Sequence, residues 1–111
     1  MATLQHNITT VTTKELLARG DNVSNAKIIT FSNTDSSADA RVDLFLYDVV
    51  NNKSYYILKG VELPKQTTLV LNQEDNIVFD NSSTGFSLRT QIDNGDGSTA
   101  VPVDIIIKQW V

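Results

Sequence analysis

The sequence predicts an all-β protein, built as a single antiparallel β-sandwich of about seven or eight strands. Short runs of Val, Ile, Leu, Thr and aromatic residues recur along almost the whole chain, separated by clusters of Asn, Asp, Ser and Gly. The 111 residues are enough for one compact domain and too few for two. The pattern leaves open whether the strands follow a jelly-roll or an immunoglobulin-like order.

The apolar runs define the strands in chain order. Residues 1–13 are predicted to form an N-terminal strand or arm, with the strand over 3–11. Segment 12–20 has the spacing of a helix cap but is too short for a stable helix, so we expect an extended path. Further strands are predicted over 26–33, 40–50, 54–59, 67–71, 77–79, 86–92 and 101–110.

Composition excludes several classes of function. The net charge is −4, and the nine Lys and Arg residues are spread singly, so we expect no nucleic-acid partner. The chain has no cysteine, which rules out disulfides and favours assembly in a reducing cytoplasm. No apolar run is long enough to span a membrane, and the N-terminus lacks the apolar segment of a signal peptide.

No group of residues in the sequence encodes a reaction. His6 is the only histidine, so a His-based hydrolytic site is not expected, and we predict no catalytic residues and no enzymatic activity. The acidic loop at residues 93–98 has the composition of a calcium site. However, Gly95 and Gly97 stand where an EF-hand needs side-chain oxygens. We therefore predict a hairpin turn there, with no metal and no cofactor.

The candidate functional residues are the aromatic side chains left over after one core is built. Within 40–50, Val42, Leu44 and Leu46 share one face of the strand, whereas Phe45 and Tyr47 share the other. A sandwich has one inner face per sheet, so some of these rings must lie outside unless another segment, such as the N-terminus, covers them. The predicted interface set is Phe45, Tyr47, Tyr55, Tyr56 and Trp110.

Three segments carry a resemblance to a known group. They are VDLFLYD at 42–48, YYILK at 55–59 and VELPKQTTLVL at 61–71. In this succession the chain resembles small virion structural proteins of tailed bacteriophages of the marine, cyanophage type, over most of its length. The resemblance implies a non-enzymatic virion component, assembled in the host cytoplasm, that binds copies of itself and other capsid, neck or tail proteins. It transfers no functional residue.

A second hypothesis belongs to another class of function. Aromatic platforms beside loops rich in Asp and Asn suit sugar recognition. Under this hypothesis, the chain is a carbohydrate- or cell-surface-binding module of a phage fibre. Its candidate site is the loop 93–98 beside Tyr55 and Tyr56.

Overall fold

The prediction of an antiparallel β-sandwich is confirmed by the computed structural model, which describes residues 2–21, 26–72 and 79–109. Within these ranges, no helix is long and apolar enough to cross a membrane. The described strands are β1 (Ala2–Ile8), β2 (Lys14–Leu17), β3 (Ala26–Asn33), β4 (Ala40–Asp48), β5 (Lys53–Leu63), β6 (Thr68–Asn72), β7 (Ser87–Asp93) and β8 (Val103–Gln109).

The strands form two sheets of four, and their order is that of a jelly roll. The first sheet has the order β1-β8-β3-β6 and the second has the order β2-β7-β4-β5. Among the eight described strands, only β4 and β5 are consecutive within one sheet, and every other pair of consecutive strands is divided between the two sheets. This order differs from the immunoglobulin arrangement and identifies the jelly roll as the correct alternative of the two predicted.

The core lies between the sheets and follows the predicted alternation. Ile105 and Ile107 on β8 are fully buried, beside Phe31 and Ile29 of the neighbouring strand β3. Ile106, which stands between them in the chain, points outward. In the second sheet the inward residues Val42 and Leu44 of β4 pair with Ile92 and Thr90 of β7. Strand alternation therefore places one apolar row per sheet in the interior.

Segment 12–20 takes the predicted extended path rather than a helix. Residues Lys14–Leu17 pair with β7, and the register shifts between Glu15 and Leu17. This irregularity lets the adjacent Leu16 and Leu17 both be buried, which regular alternation would forbid.

The boundaries of β5 differ from the prediction. It runs from Lys53 to Leu63, well past the predicted end at 59, and ends directly before Pro64. The extension depends on Gly60, which has a φ of 65° and donates its backbone N–H to Asp43 Oδ1 at 2.7 Å. The β4–β5 register shifts on both sides of Leu44, so the extra residues are absorbed as bulges.

Other predicted boundaries were wrong by a few residues. β1 ends at Ile8 rather than 11, and β4 ends at Asp48, whose carboxylate accepts the backbone N–H groups of Val50 and Asn51 and starts the turn. Of the strand predicted at 77–79, positions 77 and 78 lie outside the described residues, and Phe79 is a core residue without strand structure.

His6 lies on the inner side of β1 and forms a hydrogen bond with the backbone of Leu16 in β2. It is half-buried and pairs with Ile105 of β8. Burial lowers the pKa of His6, and the charge of Lys14 lowers it further, whereas a hydrogen bond with the backbone of Leu16 opposes the shift. The neutral imidazole is therefore the form that suits the fold.

Acidification should destabilise the protein through His6. In the unfolded chain His6 titrates near pH 6.5. Because the folded-state pKa is lower, the unfolded state binds more protons as the pH falls below that value, and stability falls with it. We expect a lower melting temperature at about pH 5.5 than at about pH 7.5. The difference should shrink in His6→Gln, and an unchanged difference in that variant would contradict the assignment.

Candidate interaction surface

Three of the five predicted interface residues come together on the outer face of the second sheet. Phe45, Tyr47 and Tyr56 project from β4 and β5, with the rings of Phe45 and Tyr56 5.0 Å apart. We call this surface the tyrosine face. Tyr55 projects from the other side of β5, as strand alternation predicts for adjacent residues, and Trp110 lies outside the described residues.

Two basic side chains cover the rings of the tyrosine face. Lys59 Nζ lies 4.5 Å from the centroid of the Tyr56 ring, and the Arg89 guanidinium lies 4.0 Å from that of Tyr47. Each cation also binds a carboxylate, since Lys59 pairs with Asp43 at 3.6 Å and Arg89 pairs with Glu15 at 3.2 Å. These contacts hold the rings in place and pair each cation with a carboxylate of the same chain.

Burial is uneven across the tyrosine face. Phe45 points outward but is only 6% exposed, because its neighbours cover it, whereas Tyr56 is 47% exposed. Phe45 therefore stabilises the sheet from its outer side, and Tyr56 is the ring that this face offers to a partner. Alternation along β4 predicted that Phe45 and Tyr47 share a side of the strand, but it gave no sign of this difference in burial, which depends on cross-strand neighbours.

Tyr55 belongs to a second apolar region, at the end of the sandwich near the β4–β5 turn. Its ring is 47% exposed, contacts Phe86 edge-to-face at 6.0 Å and lies 5.5 Å from Lys53 Nζ. The turn itself exposes Val49 and Val50. These two valines were not among the predicted interface residues. The predicted strand 40–50 placed them in regular strand structure, whereas they lie in an exposed turn.

Strand β5 is one edge strand of the second sheet and places an exposed tyrosine on each of its sides. Its edge also carries Lys53, Lys59 and the bulge at Gly60. Lysines and bulges are the devices that prevent open-ended pairing between edge strands. The edge is therefore better suited to contacts through Tyr55 and Tyr56 than to continuous backbone pairing with another strand.

The alternative in which the N-terminal segment covers the aromatic residues does not apply to the tyrosine face. β1 pairs with β8 along its whole length, from Ala2 opposite Gln109 to Ile8 opposite Val103. It therefore lies in the first sheet, away from the tyrosine face, and leaves Tyr56 uncovered.

The loop 93–98 does not lie beside Tyr55 and Tyr56, which corrects the predicted sugar site. Asp93 pairs with Arg41 in the register of the second sheet, whereas Tyr55 pairs with Leu46. Five residues along β4 separate these positions, or about 17 Å at the strand rise. The two features occupy opposite ends of the sheet.

The acidic groups of this loop already have partners within the chain, since Asp93 pairs with Arg41 and Asp96 accepts hydrogen bonds from the residues that follow it. The Asp96 carboxylate accepts the N–H groups of Ser98 and Thr99 at 2.7 and 2.8 Å and the Thr99 hydroxyl at 2.7 Å. These hydrogen bonds hold the pKa of Asp96 well below its usual range. Across residues 2–21, 26–72 and 79–109, no group of three or more His, Cys, Asp or Glu side chains is placed to hold a metal ion.

The outer face of the first sheet carries apolar residues of its own. Val70 on β6 is 56% exposed, and Ile106 on β8 is 38% exposed. Ile106 lies outside because it stands between the inward-facing Ile105 and Ile107 on the same strand. Val70 was missed, although the same alternation within β6 would have identified it.

Comparisons with known proteins give structural neighbours but no family. No family model and no curated protein matches the sequence. Among solved structures, the chain is similar to the Yersinia pseudotuberculosis-derived mitogen, with 15% identity and a TM-score of 0.47, over 99% of this chain and 85% of that one.

Two further neighbours come from infectious bursal disease virus. One is its VP2 subviral particle, with 8% identity and a TM-score of 0.39 over 96% of this chain. The other is a structure of the Gx strain of the virus, with 10% identity and a TM-score of 0.37 over 97% of this chain. The chain spans 30% and 32% of the length of these viral chains. Similarity at this level does not indicate a shared function.

Proposed function

We propose that this chain is a non-enzymatic structural subunit of a phage virion, either a capsid decoration protein or an accessory subunit of the neck or tail. The observation that carries the proposal is the pair of half-exposed tyrosines on the two sides of edge strand β5. Tyrosine is enriched at protein interfaces. The jelly roll is compatible with this role because capsid proteins use it, although lectins and cupins use it too.

The geometry suggests how such a subunit binds its neighbours. Tyr55 and Tyr56 project to opposite sides of β5, so a protein lying along this edge contacts both rings at once. Lys59, Phe45 and Phe86 hold the rings in position, which reduces the entropy lost on binding. Many copies on one particle then give strong attachment without a strong single contact.

The partners in this proposal are proteins. We expect contacts with capsid, neck or tail proteins and with other copies of the chain, in a virion assembled in the host cytoplasm. Neither a nucleic acid nor a membrane is among the proposed partners. The alternative of a carbohydrate-binding module is less favoured, because the loop 93–98 lies at the other end of the sheet from Tyr55 and Tyr56.

Labelling of virus particles tests the proposal. Antibodies against the protein are applied to particles purified from cultures that express the gene, and bound antibody is located by immuno-electron microscopy. We expect label at one position on the particle, and the double variant Tyr55→Ser, Tyr56→Ser should lower the number of copies per particle by at least about tenfold.

The double variant Tyr55→Phe, Tyr56→Phe is the matched control. It keeps both rings and should be incorporated like the natural chain, and thermal unfolding should show that both double variants remain folded. Loss of the Tyr56 ring is expected to cost only about 1–2 kcal/mol of stability, from its contacts with Phe45 and Lys59. Protein found only in the soluble fraction, with unlabelled particles, would refute the virion role.

A further inference from the structure

The outer face of the first sheet is regular, and most of its described side chains are uncharged. Among the described side chains, three from each of its four strands point outward, in register across the sheet. We call this surface the β8 face. From β1 to β6 its outward residues are Thr3, Gln5 and Asn7; Lys108, Ile106 and Asp104; Ile28, Thr30 and Ser32; and Asn72, Val70 and Thr68.

The middle row of the β8 face is its most apolar part. Ile106 pairs with Gln5 on one side and with Thr30 on the other, and Thr30 pairs with Val70. Ile106 and Val70 are among the exposed large hydrophobic residues of the described chain. A partner that covers this row removes both side chains from water.

The two charged side chains of the β8 face have opposite signs and flank Ile106 symmetrically. Asp104 lies two residues before Ile106 and Lys108 two residues after it, on the same side of the strand. They are therefore about 13 Å apart along β8, too far to form an ion pair with each other. Asp104 accepts a hydrogen bond from Asn7 Nδ2 at 2.6 Å.

The tyrosine face and the β8 face differ in whether their charged side chains form ion pairs within the chain. The three ion pairs within the described ranges, Arg41–Asp93, Lys59–Asp43 and Arg89–Glu15, all lie in the second sheet. Lys108 is exposed and belongs to none of them. A surface with one acid and one base, equally spaced from an apolar centre, is complementary to itself after a half-turn.

We propose that the β8 face binds the β8 face of a second copy of this chain around a two-fold axis over Ile106. The axis lies between the two faces and runs across the strands, so the two β8 strands are antiparallel. Asp104 of each copy then faces Lys108 of the other, and Ile106, Thr30 and Val70 each meet their own counterpart. This surface is separate from the tyrosine face and does not rest on the virion role.

The geometry of packed sheets permits this contact. Aligned sheets that pack face to face cross at about 30°. At two residues from the axis, this crossing shifts Asp104 of one copy relative to Lys108 of the other by only about 3.5 Å. The long side chain of Lys108 spans this distance. The first sheet has four strands of at most eight residues, so each copy buries roughly 400–500 Å². This area is at the low end for a specific interface, and we expect dimerisation at roughly 100 µM.

Charge reversal tests the proposal in the full chain. Sedimentation equilibrium at about 10 µM to 1 mM should show reversible dimerisation of the natural sequence. Asp104→Lys and Lys108→Asp should each weaken dimerisation by at least about tenfold, because each variant places two like-charged pairs across the axis. An equimolar mixture of the two variants should recover dimers, because both cross-axis pairs then have opposite charges.

The controls separate pairing from net charge and from folding. Glu62→Lys changes the net charge as Asp104→Lys does, but it lies on β5 of the second sheet and should not alter dimerisation. The double variant Asp104→Lys, Lys108→Asp should dimerise like the natural chain and covers the case in which a single variant folds poorly. A natural chain that stays monomeric at about 1 mM, or a mixture of folded single variants that does not recover dimers, would overturn the proposal.

Discussion

Replacing Asn33 with aspartate is expected to destabilise the protein by about 3–5 kcal/mol at neutral pH. Asn33 ends β3 and is 2% exposed. Its Nδ2 group donates to the carbonyl oxygens of Ala38 and Leu63 at 3.0 and 3.1 Å, and its Oδ1 accepts the backbone N–H of Asp35 at 2.9 Å. One side chain therefore joins the β3–β4 loop to the end of β5.

Aspartate has nearly the same shape as asparagine, but an oxygen acceptor replaces the Nδ2 donor. A carboxylate oxygen would stand about 3 Å from two carbonyl oxygens, and a buried charge would face two acceptors instead of donating to them. Both effects favour the protonated acid in the folded state, so the pKa of the new carboxyl should rise above its unfolded value. The destabilisation should therefore be largest at neutral pH and decrease as the pH falls towards 4.

Urea unfolding at several pH values measures both parts of this prediction, and Asn94→Asp is the matched control. Asn94 is exposed, and its Oδ1 accepts the backbone N–H of Asp96 at 3.0 Å, which a carboxylate oxygen does equally well. That variant should change stability by less than about 0.5 kcal/mol. Equal and small effects at both positions would show that the hydrogen bonds of Asn33 are not formed in solution.

Asn33 also shows why part of the fold was not predictable. The sequence marks it as a polar residue at the end of a strand, which is ordinary for a turn. Its burial depends on Leu63, thirty residues away, and on the crossing of β5 over this end of β3. Asn81 is a second example, because it donates to Ala18, sixty-three residues earlier, and to Phe86. Local patterns contain no information about such partners.

The candidate interaction surface likewise has features that the sequence predicted and features that it did not. Alternation along single strands predicted correctly that Phe45 and Tyr47 face away from Leu44, and that Tyr55 and Tyr56 lie on opposite sides of β5. It did not predict which rings are covered, because the register shift between Leu44 and Phe45 brings Lys59 to the side of Tyr56 and Arg89 comes from a different strand. Periodicity is a local property, whereas register and bulges arise from pairing across the sheet.

Replacing Gly85 with alanine is the second large effect that we expect, at about 3 kcal/mol or more. A Cβ atom on Gly85 would lie 2.2 Å from the carbonyl oxygen of Asp80 and 2.7 Å from its carbonyl carbon. The same oxygen accepts the backbone N–H of Phe86 at 2.8 Å, and Gly85 donates to Ser82 at 3.0 Å. The loop cannot accommodate the methyl group without losing these hydrogen bonds.

The Gly85→Ala substitution should also disturb the core, because the loop positions two buried residues. Phe79 lies directly before Asp80 and belongs to the core, and the buried Asn81 follows it. Opening the loop displaces both, so the cost of the methyl group includes core packing as well as backbone hydrogen bonds. Stability should fall, and the urea midpoint of unfolding measures the loss.

Gly97→Ala is the control that separates steric contact from backbone conformation. Gly97 has a φ of 81°, which disfavours alanine, but its Cβ position is open, with no atom within 4 Å. This variant should cost roughly 1 kcal/mol. The φ of Gly85 is not in the left-handed region, so conformational preference alone predicts the opposite order of the two variants. Urea midpoints that place Gly97→Ala below Gly85→Ala would therefore refute the close contact between Gly85 and Asp80.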